Sequence, residues 1–178
     1  MNYQMYKAEQ LEELKRLFTQ TFSDSEGVDE GKVLGELVES LVATTPKTDI
    51  RVFVAMDGNK MAGAILFTHL TFESDKTAFL LAPVAVLTEY QGKGVGQALI
   101  KHGLEAMRAE GVSLAFTYGD PQYYTRVGFE RITEEQFKAP QKLSYPHGWL
   151  AQSLTEEPLT AIAGGSECVE GFNKPELW

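Results

Sequence analysis

The stretch that most limits the fold is Gln91-Gly92-Lys93-Gly94-Val95-Gly96, because of what stands on either side of it. Ala78 to Leu87, AFLLAPVAVL, precedes it as an apolar run of strand length. Gln97 to Glu110 follows, and its apolar positions Ala98, Leu99, Ile100, Leu104, Ala106 and Met107 recur at helical spacing. Strand, glycine-rich turn and helix N-terminus in that order make an anion site. Glycines lack a Cβ, so the chain can curl and offer its amides. The first helical turn leaves N–H groups unpaired, and its dipole favours negative charge. Lys93 adds a cation. The pattern predicts a pyrophosphate ligand.

Three phosphate-binding patterns compete for this stretch. A P-loop requires Gly-x-x-x-x-Gly-Lys-Ser/Thr, and no Lys-Ser or Lys-Thr follows the glycines. A dinucleotide fingerprint requires Gly-x-Gly-x-x-Gly. With Gly92 and Gly94 as the first two, Gln97 stands where the third belongs. That fingerprint also expects an acidic residue at the end of the next strand, and Val112 to Thr117 has none. The third pattern, Gln/Arg-x-x-Gly-x-Gly/Ala, is satisfied by Gln91, Gly94 and Gly96. It resembles the coenzyme A signature of the GNAT superfamily, the acyl-CoA-dependent N-acyltransferases.

A second segment, Tyr123-Tyr124-Thr125-Arg126-Val127-Gly128-Phe129, is similar to the aromatic-Tyr-x-x-x-Gly-Phe run of that superfamily. Each tyrosine alone would be read as core packing with a hydroxyl at the surface. The two segments in this order, separated by a helix pattern and a strand pattern, are far more specific. The longer run Gly119 to Phe129, with Gly119-Asp120-Pro121 at its head, resembles the YhbS-like branch. In element order the resemblance covers Met1 to Phe129, and its sharp motifs occupy Leu80 to Phe129.

Composition excludes more than it selects. A chain of 178 residues can bury one sizeable core and reads as a single domain over 1–178, with a core over 1–129 and C-terminal strands and tail over 130–178. The net charge of −9 argues against a nucleic-acid partner, which needs a basic footprint. A bound phosphate must then be met by local amides and Lys93, while the acidic surface would either attract a cationic amine or serve solubility alone. The single Cys168 leaves no intramolecular disulfide. Three scattered histidines, His69, His102 and His147, offer no metal-ligand spacing, so no metal is expected. No leader pattern and no run of membrane-span length is found, and a cytoplasmic location with no membrane partner is expected.

The periodicities order the rest of the chain. Met1 to Tyr6 reads as a strand, and Ala8 to Phe22 as a helix with Leu11, Leu14, Leu17 and Phe18 on one face. A turn is expected over Ser23 to Gly27, then a second helix over Glu30 to Val42, closed by Thr45-Pro46. Ile50 to Met56 and Met61 to Phe72 form a hairpin about Asp57-Gly58-Asn59. Glu73 to Lys76 turns the chain into the Ala78 to Leu87 strand. Beyond Phe129, Trp149 to Leu154 and Glu167 to Phe172 read as short strands around the apolar Leu159 to Ala163. Pro83 cannot donate to a ladder, so it marks a bulge, an edge or a gap in pairing.

The resemblance implies an α/β (α+β) fold of the GNAT type: a mixed, mostly antiparallel central sheet flanked by helices, with central strands that splay to admit CoA. It implies acetyl-CoA as co-substrate and direct transfer of an acetyl group to a primary amine. The backbone of Val84, Ala85 and Val86 would meet the pantetheine arm, and Gln91, Gly92, Lys93, Gly94, Val95, Gly96 and Gln97 the pyrophosphate. A backbone N–H near Val86 would polarise the thioester carbonyl, and Tyr124 would protonate the leaving thiolate. His69, Glu73 and Asp75, near the end of the hairpin strand, are the candidates for a base. Many members carry an asparagine seven residues before the tyrosine. Thr117 stands there in this chain, and Gly119-Asp120-Pro121 shortens or redirects the next helix. The expected partner is a small-molecule or protein amine, with a homodimer left open. A non-catalytic acyl-CoA-binding regulatory module and a nucleotide-binding protein are the alternatives.

Overall fold

Continuous apolar runs in the central strands and apolar stripes on the helices set the elements. The computed structural model describes every residue from Met1 to Trp178. Its strands are β1 (Asn2–Met5), β2 (Ile50–Asp57), β3 (Lys60–Phe72), β4 (Ala78–Val86), β5 (Leu114–Tyr118), β6 (Glu130–Arg131), β7 (Trp149–Ser153) and β8 (Ser166–Glu167). Its helices are α1 (Leu11–Glu26), α2 (Val28–Thr44), α3 (Val95–Ala109) and the short α4 (Pro121–Tyr124). The strand order is β1-β2-β3-β4-β5-β7-β6, with β8 paired to β3. β4 and β5 run parallel, whereas β1–β2, β3–β8, β5–β7 and β6–β7 are antiparallel. The chain forms two compact units, Met1–Leu66 with Pro83–Gly103 and Phe67–Ala82 with Leu104–Trp178. β3, β4 and α3 each run through both.

In the first unit β1 pairs with β2 from Asn2↔Met56 to Met5↔Phe53. α1 buries Leu14, Leu17 and Phe18, and α2 buries Leu34, Leu37, Val38 and Leu41, the stripes that the sequence predicts. The turn expected over Ser23 to Gly27 is a correction: α1 continues through Glu26, and Gly27 alone, at φ 103°, breaks the helix. Polar helix formers of modest propensity are tolerated in a last turn, and the left-handed glycine makes the stop. α1 and α2 approach closely at Gly31, where a Cβ would run into Ser23 Oγ and the Thr19 carbonyl.

In the second unit β4 and β5 pair from Ala78↔Leu114 to Leu81↔Thr117, and β5 pairs with β7 from Leu114↔Ser153 to Tyr118↔Trp149. Phe116 is the centre of its core, with ring centroids 5.0 Å from Phe72, 5.3 Å from Phe137 and 5.3 Å from Trp149. Buried Trp149 donates its indole N–H to the Phe137 carbonyl at 2.8 Å. The strand expected over Glu167 to Phe172 is largely absent. Only Ser166 and Glu167 pair, with Phe72 and Thr71. Glu170–Phe172 then forms a 3-10 turn, which carries Phe172 inward to within 6.5 Å of the Trp178 ring. The apolar Leu159 to Ala163 has no regular structure.

Candidate functional site

β4 changes character halfway along. Ala78–Leu81 are buried, whereas Ala82, Pro83, Val84 and Val86 are only half-buried. The ladder to β5 ends at Leu81↔Thr117, and Pro83, with no N–H to give, stands just past that end. The gap in pairing expected from the proline is therefore present. Leu87 donates its amide to the Ala62 carbonyl at 2.9 Å, so strand alternation turns the polar groups of Val86 toward the opposite edge. There Gln91 Nε2 donates to the Val86 carbonyl at 2.8 Å. The first residue of the glycine motif is thus spent on holding its own strand, a use that the motif alone does not reveal.

The loop after β4 is anchored before the glycines begin. Thr88 Oγ1 donates to the Asp24 carboxylate at 2.7 Å, Tyr90 Oη donates to Asp57 at 2.7 Å, and Glu89 pairs with Lys60. The Lys60 and Lys93 ammonium groups lie 5.6 Å and 5.9 Å from the centre of the Tyr90 ring, within cation–π range. Gly92 and Gly94 then take φ of 73° and 80°, where side chains are rare. A Cβ at either would meet nothing within 4 Å, so the space beside the loop is open.

α3 begins at Val95, two residues earlier than the periodicity from Gln97 suggests, because buried Val95 extends the apolar stripe. The Gly94 carbonyl accepts its first bond, from Ala98 N at 3.0 Å. The amides of the first turn, Val95, Gly96 and Gln97, therefore have no carbonyl of their own helix to bond. α1 and α2 carry Glu12, Glu13, Asp29 and Glu30 in their first turns, and α3 carries no acidic residue there. A helix N-terminus with its positive dipole end, no acidic side chain in its first turn, and Lys93 just before it in the chain fit an anionic ligand such as a diphosphate.

The second unit gathers the tyrosine segment. Asp120 caps α4 by accepting from Gln122 N at 2.9 Å, Pro121 occupies the first turn, and the helix lasts only four residues. One 3-10 turn follows, closed by Gly128 at φ 94°. The Tyr124 ring stands edge-on to Tyr123, at 5.0 Å, and to Phe129, at 5.9 Å. Its phenol is pushed well above the usual tyrosine range, chiefly by burial and then by the neighbouring Tyr123. A hydrogen bond with Thr117 works the other way, and Asp120 adds slightly to the rise.

Thr117 is fully buried, and its hydroxyl donates to the Leu81 carbonyl at 2.8 Å, which ties β5 to β4 where their ladder ends. Gly119 lies flat against the tyrosine: a Cβ there would stand 2.8 Å from Tyr124 Cε2. Thr117 is legible in sequence as a departure from the family asparagine. The packing of Gly119 needs the three-dimensional turn.

The candidate bases have separate surroundings. His69 Nδ1 is 3.4 Å from Thr71 Oγ1, and its ring packs 5.4 Å from Phe79. The Glu73 carboxylate covers Gly164 of the tail, and Asp75 is exposed in the turn before β4. His102 packs among Phe53 and Tyr3. No group of three or more His, Cys, Asp or Glu stands together in a way that could hold a metal ion. No helix is long and apolar enough to cross a membrane.

Comparison with known proteins gives the family. The family described as "Acetyltransferase (GNAT) domain" matches residues 2–132. The chain belongs to the GNAT acetyltransferase family. A relative from Escherichia coli K12, the uncharacterized N-acetyltransferase YjhQ, is 36% identical over 141 residues, covering 76% of this chain and 77% of its own length. Among solved structures, the GNAT family N-acetyltransferase YhbS from Escherichia coli in complex with CoA has a TM-score of 0.81 at 22% identity. The alignment covers 97% of this chain and 92% of that one. A GNAT family acetyltransferase from Brucella melitensis in complex with acetyl-CoA has a TM-score of 0.72 at 22% identity, covering 96% and 97%. The mixed, mostly antiparallel GNAT fold expected from the sequence is the fold of this chain. With the family in hand, Gln91–Gln97 and Tyr124 occupy the two segments from which the resemblance was first drawn.

Proposed function

We propose that this GNAT-family chain moves the acetyl group of acetyl-CoA directly to a primary amine. The observation that carries the reading is the N-terminus of α3, which opens on the Gly94 carbonyl, has no acidic side chain in its first turn and follows directly on Lys93. Gly92 to Gln97 and Lys93 would hold the diphosphate, and the open edge of Val84 to Val86 would hold the pantetheine arm through its amides. The neutral amine nitrogen attacks the thioester carbonyl carbon, the C–N bond forms, and the C–S bond breaks with its electron pair on sulfur. An amide at Val86 would polarise the carbonyl oxygen, and the Tyr124 hydroxyl would meet the departing thiolate. One of His69, Glu73 and Asp75, acting through water, would take the amine proton. Exposed Glu73 and Asp75 favour an acceptor that carries further positive charge, such as a polyamine or a lysine side chain.

The reading is tested in two steps. Calorimetric titration with acetyl-CoA should give binding that falls at least ~10-fold, about 1.4 kcal/mol, in Gly94→Glu, which sets a carboxylate at the anion site. A folded Gly94→Glu variant of unchanged affinity would remove the pyrophosphate assignment. Thiol release from acetyl-CoA is then followed with spermine, a lysine peptide and neutral amines. Binding without thiol release on any of them would mark a non-catalytic acyl-CoA-binding module. A preference for neutral amines, insensitive to salt, would refute the cationic acceptor.

A further inference from the structure

The tail after Phe129 was left without a task by the sequence, and in the second unit it reaches the turn that carries Tyr124. Trp178 is buried at 4% exposure, and its indole N–H donates to the Phe172 carbonyl at 2.8 Å. Its ring stacks on Tyr118, the last residue of β5, with centroids 6.0 Å apart and planes 20° from parallel. It also meets Trp149 edge-on at 6.1 Å. The Tyr118 hydroxyl accepts the amide of Tyr145 at 2.6 Å and lies 3.3 Å from Ser144 Oγ. Tyr145 in turn accepts the Gly148 amide at 2.9 Å, and the Gly148 carbonyl accepts the Gly119 amide at 2.9 Å. Gly148 and Gly119 touch backbone to backbone, since a Cβ on Gly148 would stand 2.8 Å from the Gly119 carbonyl oxygen. Gly119 lies against the Tyr124 ring. Each step is a stack, a hydrogen bond or a contact with no slack, and together they run from Trp178 to Tyr124.

The geometry points to Trp178 as a positioning residue: through Tyr118, Tyr145 and Gly148 it fixes the turn at Gly119 and so the place of the Tyr124 hydroxyl. This rests on the reading of Tyr124 as the group that meets the thiolate. Two physical reasons favour a brace over simple core filling. Tyr118 sits at the open end of β5, where the strand gives way to a turn, and the stack restrains its ring there. The hydroxyl of Tyr118 also accepts the Tyr145 amide at 2.6 Å, so a ring that shifts pulls the Tyr145–Gly148 turn with it. A shift on the order of 1 Å at a reacting group costs about 10²-fold in rate, so a partial loosening should cost about 10-fold.

The test uses the full chain labelled with 3-fluorotyrosine, with the Tyr124 fluorine signal assigned by its loss in Tyr124→Phe. Trp178→Ala removes the ring, Trp178→Leu keeps apolar bulk without a stacking face, and Trp178→Phe keeps the face. The Ala and Leu variants should both move the Tyr124 signal and lower kcat about 10-fold, with acetyl-CoA affinity within about 2-fold of wild type. The Phe variant should restore the signal and the rate together. A Tyr124 signal that stays at its wild-type position in Trp178→Ala and Trp178→Leu overturns the brace, whatever happens to the rate. A signal that moves in a chain whose Tyr124→Phe variant turns over normally upholds the brace and removes the role of the hydroxyl instead.

Discussion

Adding one methyl group at Gly119 should separate chemistry from cofactor binding. An alanine Cβ there would lie 2.8 Å from Tyr124 Cε2 and 3.5 Å from Cδ2. Carbon atoms pack at about 3.5–4.0 Å, so something must give by roughly 0.7–1.2 Å. The backbone side cannot yield freely, because the Gly119 amide is bonded to the Gly148 carbonyl at 2.9 Å. The ring is also held edge-on against Tyr123 and Phe129, at 5.0 Å and 5.9 Å. Forcing a methyl into such a contact costs about 1–3 kcal/mol in stability. For a chain of this size that is a fall in Tm of about 2–4 °C for each kcal/mol. A phenol displaced by that distance should lower kcat by about 10–10²-fold. Acetyl-CoA affinity, which on the proposed reading depends on the loop of the first unit, should stay within about 2-fold of wild type. The control is Gly111→Ala, in the turn after α3, where φ is 88° and a Cβ would meet nothing within 4 Å. It should lose about 1–2 kcal/mol through backbone strain alone and keep its rate. A folded Gly119→Ala chain with full kcat would falsify the claim that this contact sets the place of Tyr124.

Tyr124→Phe should lower kcat while leaving acetyl-CoA affinity unchanged, measured by thiol release and calorimetry, and a loss of binding in step with rate would make the hydroxyl a cofactor-positioning group. Because burial raises the folded phenol above its unfolded value near 10, stability is complete below about pH 10 and is lost above it, as the unfolded phenol ionises first. Denaturation series above pH 10 should show a shallower decline in Tyr124→Phe, by up to about 1.4 kcal/mol per pH unit, and an unchanged slope would contradict the burial. Thr21 on α1 buries a hydroxyl with no hydrogen-bond partner, so Thr21→Val should raise stability by about 1 kcal/mol, read from the urea midpoint, and a loss would mean that the hydroxyl has a partner.

The elements carried by long apolar periods were legible in the sequence, and those set by single contacts were not. α1, α2 and α3 declare themselves through stripes such as Leu14-Leu17-Phe18 and Leu34-Leu37-Val38-Leu41, since a buried face must repeat at the helical period. The glycine loop was legible because left-handed φ at Gly92 and Gly94 demands a residue type that sequence displays directly. Pro83 likewise announced the end of the β4–β5 ladder. The tail was read poorly. Glu167 to Phe172 has the composition of a strand, yet Phe172 turns inward beside Trp178, a partner six residues on that no local pattern announces. The site divides in the same way. Gln91–Gln97 follows from spacing, whereas the bond from Gln91 to the Val86 carbonyl, the bond from Thr117 to Leu81 and the seat of Tyr124 on Gly119 are tertiary facts.

The environment of Tyr124 bears on what its hydroxyl can do. A thiolate leaving group of cysteine-like pKa, about 8.5, is a weaker base than a tyrosinate of about 10 even in water. On those free values full proton transfer from Tyr124 to sulfur runs uphill by about 2 kcal/mol, and desolvation of the phenol favours keeping its proton. A hydrogen bond from the same hydroxyl to the developing thiolate needs no transfer. Bonds to charged groups contribute about 1.5–3 kcal/mol, which is a factor of about 10–10² in rate. On the proposed mechanism Tyr124 is therefore better suited to stabilise the thiolate as a donor than to act as its acid, and its raised pKa would keep the proton on oxygen throughout the working pH range. On this argument the rate of the wild-type chain should show no alkaline limb from Tyr124 below about pH 10, and its rise with pH should follow the free amine alone. An alkaline limb that starts below pH 10 and vanishes in Tyr124→Phe would show a phenol that ionises normally, and would return the acid role to it.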